Sequence, residues 1–151
     1  MAPLLPAILT KYDALSAANF AGGTRPPAFH DRAPQVTSGQ LRPPYAVFGL
    51  RAEPTQLTFE DDGVEVTRVT LRVYATSEAD LDSDIAAIAR NGGSVGAAGG
   101  FDSGTLPALT DGTLLSMVTQ KVPSKHFDGV EGNGTNVYRA EFEWLVEVQR
   151  S

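Results

Sequence analysis

Residues 137–150 read VYRAEFEWLVEVQR and carry the clearest structural signal in the chain. From Tyr138 to Val148, every second side chain is apolar or aromatic, and the positions between them are mainly charged. A period of two is typical of a β-strand with one buried face and one solvated face, as in an antiparallel sheet. The end of the chain therefore predicts a strand with a polar outer face.

Three earlier segments also predict strands, because each is a short run rich in apolar and β-branched residues beside a turn signal. They are residues 45–50 (YAVFGL), 64–75 (VEVTRVTLRVYA) and 113–121 (TLLSMVTQK). In the second segment the apolar positions change phase between Val66 and Val69. That change predicts either a bulge or burial of opposite faces at the two ends of the strand.

Two segments predict helices. From about Pro6 to Ala18, apolar side chains recur at steps of three and four, and Gly22-Gly23 should end this helix. Residues 77–91 begin with Ser77 as a capping residue and stop at an Asn-Gly-Gly sequence. The second helix should turn a stripe inward, formed by Leu81, Ile85, Ile88 and Ala89.

The order α-β-β-α-β-β predicts an α+β fold in which residues 1–151 form a single domain. We expect a sheet of about four mainly antiparallel strands with both helices on one face. Residues 22–44 form a proline-rich arm, and residues 92–112 form a glycine-rich, flexible loop. Residues 125–136 contain Asp-Gly and Asn-Gly and predict another flexible tip. The arm either reaches over a neighbouring subunit or is a mobile surface loop.

Composition excludes several classes of protein. The 151 residues include 12 basic and 18 acidic side chains, a formal charge of −6, and no cysteine. Disulfide scaffolds, thiolate zinc sites and cysteine nucleophiles are therefore excluded, and the acidic balance argues against wrapping nucleic acid. No apolar run reaches the roughly 18 residues that a membrane span requires, and the N-terminus lacks the basic start of a signal peptide. We expect a soluble protein made in the cytosol.

The sequence motifs predict no catalytic, cofactor or metal site. The run GGSVGAAGG at residues 92–100 lacks the lysine and the strand–helix setting of a phosphate-binding loop. Ser124, His126 and Asp128 could in principle form a nucleophile, a base and an orienting acid, but they lie together in a glycine-rich loop. His30 with Asp31, or His126 with Asp128, lacks a third metal ligand at suitable spacing.

A family resemblance rests on three segments: PPYAVF at residues 43–48, VTRVTLRVYA at 66–75 and TSEADLDSDIAAI at 76–88. This succession resembles the tail-completion proteins of long-tailed bacteriophages and related gene transfer agents, which include tail terminators and tail-to-head joining proteins. The resemblance is strongest over residues 43–90, and the closing strand at 137–149 also fits. Together these stretches cover 61 of the 151 residues, and the two long connections depart from a minimal member.

The resemblance implies a virion structural protein rather than an enzyme. Such a subunit forms a ring, typically a hexamer, at the head-proximal end of the tail tube, where it ends tube polymerisation and joins tail to head. Its partners would be copies of itself, the tail tube protein and the head connector or neck protein. DNA would only pass through the lumen, and no membrane or cofactor is implied. A neck or head-closure ring, another tail-tube-associated protein, and a small enzyme or ligand-binding module are the alternatives.

Two sets of residues are candidates for protein contacts. The first combines an aromatic ring and acids at a projecting hairpin with a second loop, and is suited to axial docking: Phe59, Glu60, Asp61, Asp62, Asp128 and Asn133. The second comes from the arm and the polar face of the last strand, and is suited to subunit contacts or to the lumen wall: Arg25, Arg32, Arg42, Glu141, Glu143, Leu145 and Glu147. A negatively charged wall would repel passing DNA. A simply hydrated sheet face is the alternative.

Overall fold

A computed structural model describes residues 4–31, 43–52, 63–94, 96–97, 99–121, 123–130 and 136–150. The helices are α1 (Leu4–Asp13) and α2 (Glu78–Arg90). The strands are β1 (Ala28–His30), β2 (Tyr45–Ala52), β3 (Val64–Ala75), β4 (Gly112–Lys121), β5 (Lys125–Val130) and β6 (Asn136–Arg150). Short 3₁₀ turns lie at Ala17–Asn19, Ala21–Gly23 and Phe101–Ser103.

These strands form one mixed sheet in the order β1-β2-β3-β6-β4, and β5 also pairs with β6. Along the outer side of β6, β4 pairs with residues 143–150 and β5 with residues 136–140. All strand pairs are antiparallel except β1 with β2. The predicted α+β class and the mainly antiparallel sheet are confirmed, but the described sheet has six strands rather than about four.

The first additional strand, β1, lies within the segment predicted as a proline-rich arm. The Ala46 backbone N–H donates to the Pro27 carbonyl at 2.9 Å, and the Asp31 N–H donates to the Phe48 carbonyl at 2.7 Å. Prolines are tolerated beside an edge strand because one side of that strand needs no ladder hydrogen bonds. The proline content therefore excluded an internal strand, as predicted, but not an edge strand.

The second additional strand, β5, comes from the segment predicted as a flexible tip. It continues along β6 after β4, and the Phe127 ring packs edge-on against Tyr138 with centroids 5.5 Å apart. A shift of register follows Phe127, where Gly129 adopts a φ of +127°. Since β6 has 15 residues, it is long enough to pair with two successive strands.

Helix α1 ends at Asp13, earlier than the predicted end near Ala18. After the helix, the Ser16 backbone N–H donates to the Asn91 side-chain oxygen at 2.8 Å, and Leu15 and Phe20 are almost fully buried. The chain leaves the helix because these tertiary contacts outweigh the continuation of the apolar stripe.

Helix α2 has the predicted start and stop. The Ser77 hydroxyl accepts a hydrogen bond from the Asp80 N–H at 3.1 Å, and Asn91 ends the helix in the left-handed conformation with a φ of 47°. The inward stripe differs at one turn, because Ile85 is only half-buried whereas Asp84 is 1% exposed.

The hydrophobic core lies between the helices and one face of the sheet. Phe48, Leu71 and Phe142 occupy one row across β2, β3 and β6 and are at most 1% exposed. Trp144 stacks on Phe142 with centroids 5.3 Å apart and lies 5.0 Å from the Phe101 ring. The helices therefore cover one face of the sheet and leave the opposite face open.

The glycine-rich connection is attached to the core, which corrects the expectation of a flexible loop throughout residues 92–112. Phe101 in its middle has no exposed surface. A Cβ on Gly100 would lie 2.1 Å from the Ala89 carbonyl oxygen, so this position passes directly against the end of α2. Glycine is required there because no larger residue fits so close to the helix backbone.

The phase change in the second predicted strand arises without a bulge in β3, whose pairing with β6 shows no shift of register. Val64 and Val66 lie on the open face and are half-buried, whereas Val69 points into the core. The alternative in which the two ends bury opposite faces is therefore correct.

Candidate functional site: the open face of the sheet

The open face is the side of β2, β3, β6 and β4 that points away from the core. Because successive side chains alternate between the faces of a sheet, the register fixes which residues belong to it. They are Tyr45, Val47, Gly49, Arg51, Val64, Val66, Arg68, Thr70, Arg72, Tyr74, Thr113, Ser116, Val118, Lys121, Arg139, Glu141, Glu143, Leu145, Glu147 and Gln149.

Three predicted contact residues, Glu141, Glu143 and Glu147, lie on this face in one column along β6. The Arg68 guanidinium on β3 forms an ion pair with Glu143, and the two side chains are 33% and 19% exposed. Arg72 occupies the position opposite Glu141. The face therefore carries both charges, because Arg68 and Arg72 lie beside the glutamates, and the negatively charged lumen wall stays a prediction.

The part of the open face formed by β2 and β3 is basic, and we call Arg51, Arg68 and Arg72 the basic half. Arg51 lies directly opposite Arg68 in the β2–β3 register, and the open-face positions of these two strands include no acidic residue. Like charges directly opposite each other on a sheet are destabilising. Within the described part of the chain, neither Arg51 nor Arg72 forms an ion pair.

An apolar corner adjoins the charged columns and consists of Val66, Leu145 and Val118. Leu145 lies directly opposite Val118, which is 52% exposed, and Val66 is on the neighbouring strand β3. Leu145 was predicted as a lone apolar residue of the polar face. The structure gives it an exposed apolar partner, so the corner is a better candidate contact surface than one leucine.

At the far end of the open face, two tyrosine rings and one arginine lie in a row across β2, β3 and β6. Tyr45 and Tyr74 stack with centroids 4.6 Å apart, and Arg139 follows Tyr74 in the row. The Asp128 carboxylate lies 3.7 Å from Arg139 Nε. Asp128 was a candidate for axial docking, but its carboxylate is engaged with its own chain.

Arg25, a predicted ring contact from the arm, also makes a contact within the subunit. Its Nη1 donates to the Leu15 carbonyl at 2.8 Å, which anchors the turn after α1. The remaining candidates lie outside the described residues: Arg32, Arg42, Phe59, Glu60, Asp61, Asp62 and Asn133.

The residues considered for catalysis or metal binding assemble only in part. Ser124 Oγ and His126 Nε2 lie 3.0 Å apart, but both residues are exposed and Asp128 is directed to Arg139 instead of orienting the imidazole. His30 Nε2 lies 3.3 Å from Asp31 Oδ1. Among the described residues, no group of three or more possible ligands could hold a metal ion.

Two buried groups near the N-terminal segment have altered acidity. Burial raises the pKa of Asp84 from 3.8 to about 6, although its carboxylate accepts a hydrogen bond from the Ala21 N–H at 3.0 Å. Burial also raises the pKa of Tyr12, and the nearby Asp84 charge adds to this; its hydroxyl donates to the Pro26 carbonyl at 2.6 Å. These contacts join the N-terminal segment to α2.

A buried lysine makes a similar attachment between α1 and the glycine-rich connection. Lys11 Nζ donates to Ser103 Oγ at 2.9 Å and to the Thr105 carbonyl, and lies 5.3 Å from the centre of the Phe101 ring. Burial lowers the pKa of Lys11. Because its donors are used within the subunit, we interpret Lys11 as a structural residue.

A cleft of about 340 Å³ lies between α2 and the β4–β6 part of the sheet. Ile85, Ala89 and Phe142 contribute its apolar lining, and Asp82, Arg90 and Asp102 add charged groups. Thr119 and Pro123 contribute to the lining from the side of β4.

Comparison with known proteins adds no family: no protein-family model matches the chain, and no curated protein matches it significantly. No helix in the described ranges is long and apolar enough to cross a bilayer. The function must therefore be argued from the residues and their arrangement.

Sequence reasoning missed the basic half and Val118 as contact candidates. The alternation in residues 64–75 already placed Arg68 and Arg72 on the face opposite Val69, so these two residues of the basic half could have been predicted from the sequence. That Arg51 lies opposite Arg68, and Val118 opposite Leu145, depends on strand pairing and was not readable.

Proposed function

We propose that this protein is a virion structural protein that forms a homo-oligomeric ring, a hexamer, at the head-proximal end of a phage tail tube. There it ends tube polymerisation and joins the tail to the head. The observation that carries the proposal is where the family-like segments lie: residues 43–48, 66–75, 76–88 and 137–149 overlap β2, β3, α2 and β6 in turn. In the fold these elements are neighbours, with the three strands adjacent at the centre of the sheet.

The shape of the subunit also supports a role in assembly. Helices cover one face of the sheet, and the other face presents the basic half and the apolar corner. A ring with cyclic symmetry needs two different patches on each subunit, because every contact joins one surface to another kind of surface. A two-layer subunit with unlike outer sides meets that requirement.

The partners of such a ring are the tail tube protein on one side and the head connector or neck protein on the other. DNA passes through its lumen and is not read. The acidic hairpin at residues 59–62 stays a prediction for axial docking.

Electron microscopy of particles that lack this protein tests the proposal. Overlong tails, or tails detached from heads, are expected for a tail terminator. Missing tails or leaking heads would assign the protein to a neck ring instead, and particles of normal form and infectivity would contradict both.

The acidic hairpin has its own test. Reversing Glu60, Asp61 and Asp62 to Lys should impair particle assembly while circular dichroism of the subunit stays unchanged. Normal infectivity of the triple variant would remove the hairpin from the docking surface without affecting the ring itself.

A further inference from the structure

On the open face, strands β2 and β3 carry no acidic residue that could balance the basic half. Arg51 and Arg68 are directly opposite each other, and only Arg68 has an acidic partner among the described residues, Glu143 on the next strand. A like-charge pair of this kind is unfavourable unless an acidic group lies over it. We infer that the basic half receives the acidic first turns of helix α2 from a second copy of this chain.

The proposed occupant is the exposed side of α2, and we call Glu78, Asp80 and Asp82 the acidic helix face. All three are exposed in the first turns of the helix. Lys125 lies 3.0 Å from Asp82 and 3.9 Å from Glu78, whereas Asp80 forms no ion pair within the described ranges. The acidic helix face is therefore only partly neutralised by its own subunit.

Small side chains make close approach possible on this side of α2. Ala79, Ser83 and Ala86 are exposed beside the acids. A helix with short outward side chains can lie near a sheet, so that carboxylates reach guanidinium groups on the sheet surface.

The two surfaces lie on opposite sides of the subunit, because α2 packs on the core face and the basic half lies on the open face. A contact between them is head-to-tail. Repetition of a head-to-tail contact produces a closed ring when the rotation permits. The inference thus rests on the proposed ring and supplies its subunit interface. A symmetric contact between two basic halves is disfavoured, because it would bring like charges together.

Double-stranded DNA is a less suitable occupant of the basic half. The neighbouring column on the same face carries Glu141, Glu143 and Glu147, and the chain as a whole has a formal charge of −6. Phosphate binding depends on clustered Lys and Arg side chains, and the adjacent carboxylates would repel phosphates. A helix that bears carboxylates also supplies negative charge, and holds it at defined positions along the helix.

Charge reversal on each surface tests the inference. In the sheet variant, Arg51 and Arg72 become Glu; in the helix variant, Glu78 and Asp80 become Lys. We expect each variant alone to shift from the wild-type assembly to the 16.0 kDa monomer in light scattering. The half-assembly concentration should rise by about tenfold or more, because unlike charges become like charges.

Mixing gives the decisive result. In an equal mixture of the two variants, a reversed sheet meets a reversed helix, and a native sheet meets a native helix, so alternating assemblies with an even number of subunits should form. A single chain with all four reversals should also assemble. Asp111→Lys, which reverses an exposed charge outside both surfaces, serves as the control and should assemble like the wild type.

Several results would overturn the inference. One is assembly of either variant alone as the wild type assembles, and another is a mixture that stays monomeric although circular dichroism shows both variants folded. Loss of binding to a double-stranded oligonucleotide in the sheet variant, with assembly retained, would assign the basic half to DNA. In all these cases the ring itself could stand, whereas a wild-type chain that is monomeric alone and on purified tail tubes would contradict the ring as well.

Discussion

The two faces of the sheet make different kinds of interaction, although alternating residues of the same strand form both faces. On β6, Phe142 and Trp144 are buried in the core, whereas Glu143 and Leu145 belong to the open face. Burial of apolar surface stabilises by about 25 cal/mol per Å², whereas a solvent-accessible ion pair contributes about 1 kcal/mol or less. The free energy of unfolding should therefore depend mainly on the covered face, which packs against the helices, and subunit assembly should depend on the open face.

The largest difference in stability between the two faces is expected when two adjacent residues, one on each face, are truncated. Trp144→Ala should lower the free energy of unfolding by about 3–5 kcal/mol, because a fully buried indole leaves a cavity. Leu145→Ala should lower it by about 1 kcal/mol or less, since this side chain is only half-buried. Urea unfolding of both variants measures the difference, and equal losses would contradict the assignment of the faces.

Addition of one methyl group provides a second comparison. Gly100→Ala should destabilise by about 2 kcal/mol, because its Cβ would meet the Ala89 backbone at 2.1 Å. Gly49→Ala on the open face meets the Thr70 hydroxyl at 2.8 Å, a side chain that can rotate, so a smaller loss is expected. The melting temperatures of the two variants rank these effects; a larger loss at Gly49 would show that the open face is the more tightly packed one.

The covered face also holds a group that makes stability depend on pH. Burial raises the pKa of Asp84 to about 6 in the folded state, so the folded chain binds a proton more readily than the unfolded chain. Its unfavourable contribution is therefore present above that pKa and is relieved as pH falls from about 6 toward the usual carboxyl range near 4. Relative to Asp84→Asn, the wild type should gain on the order of 2 kcal/mol between about pH 7.5 and pH 4.5.

Urea unfolding of the wild type and of Asp84→Asn at both pH values measures this gain. The asparagine retains an oxygen that can accept from the Ala21 N–H, so the comparison isolates the titration. A difference between the two proteins that does not change with pH would show that Asp84 has an ordinary pKa.

The smallest effect is expected for the ion pair of the open face. A double-mutant cycle with Arg68→Met and Glu143→Gln should give a coupling of roughly 0.5 kcal/mol, since both side chains keep contact with water. The coupling should decrease in high salt. A value above about 2 kcal/mol would mean that this pair stabilises the subunit as much as core packing does.

Prediction from sequence succeeded where a single segment carries its own pattern. Residues 64–75 have the same bounds as β3, and α2 has the predicted Ser77 cap, because alternation and capping are local properties. It failed for β1, β5 and the end of α1. These depend on what lies beside the segment: an edge of β2, the length of β6, and the Asn91 side chain.

The candidate site shows the same division at the level of residues. Glu141, Glu143 and Leu145 were placed on an outer face from alternation alone. The ion pair of Arg68 with Glu143, the position of Arg72 opposite Glu141, and Val118 opposite Leu145 could not be placed, because the register between distant strands is set by tertiary packing. Arg25 and Asp128 looked exposed in sequence, yet contacts within the subunit engage both.

The linear pattern alone decided which residues form β3, β6 and α2 and which of their sides is apolar, since these follow from periodicities of two and 3.6 along the chain. Tertiary packing alone decided that Arg51 faces Arg68 and that Phe101 closes the core from within a glycine-rich connection. The physical reason is that hydrogen-bonded register and burial depend on partners far apart in sequence, whose identity no local period encodes.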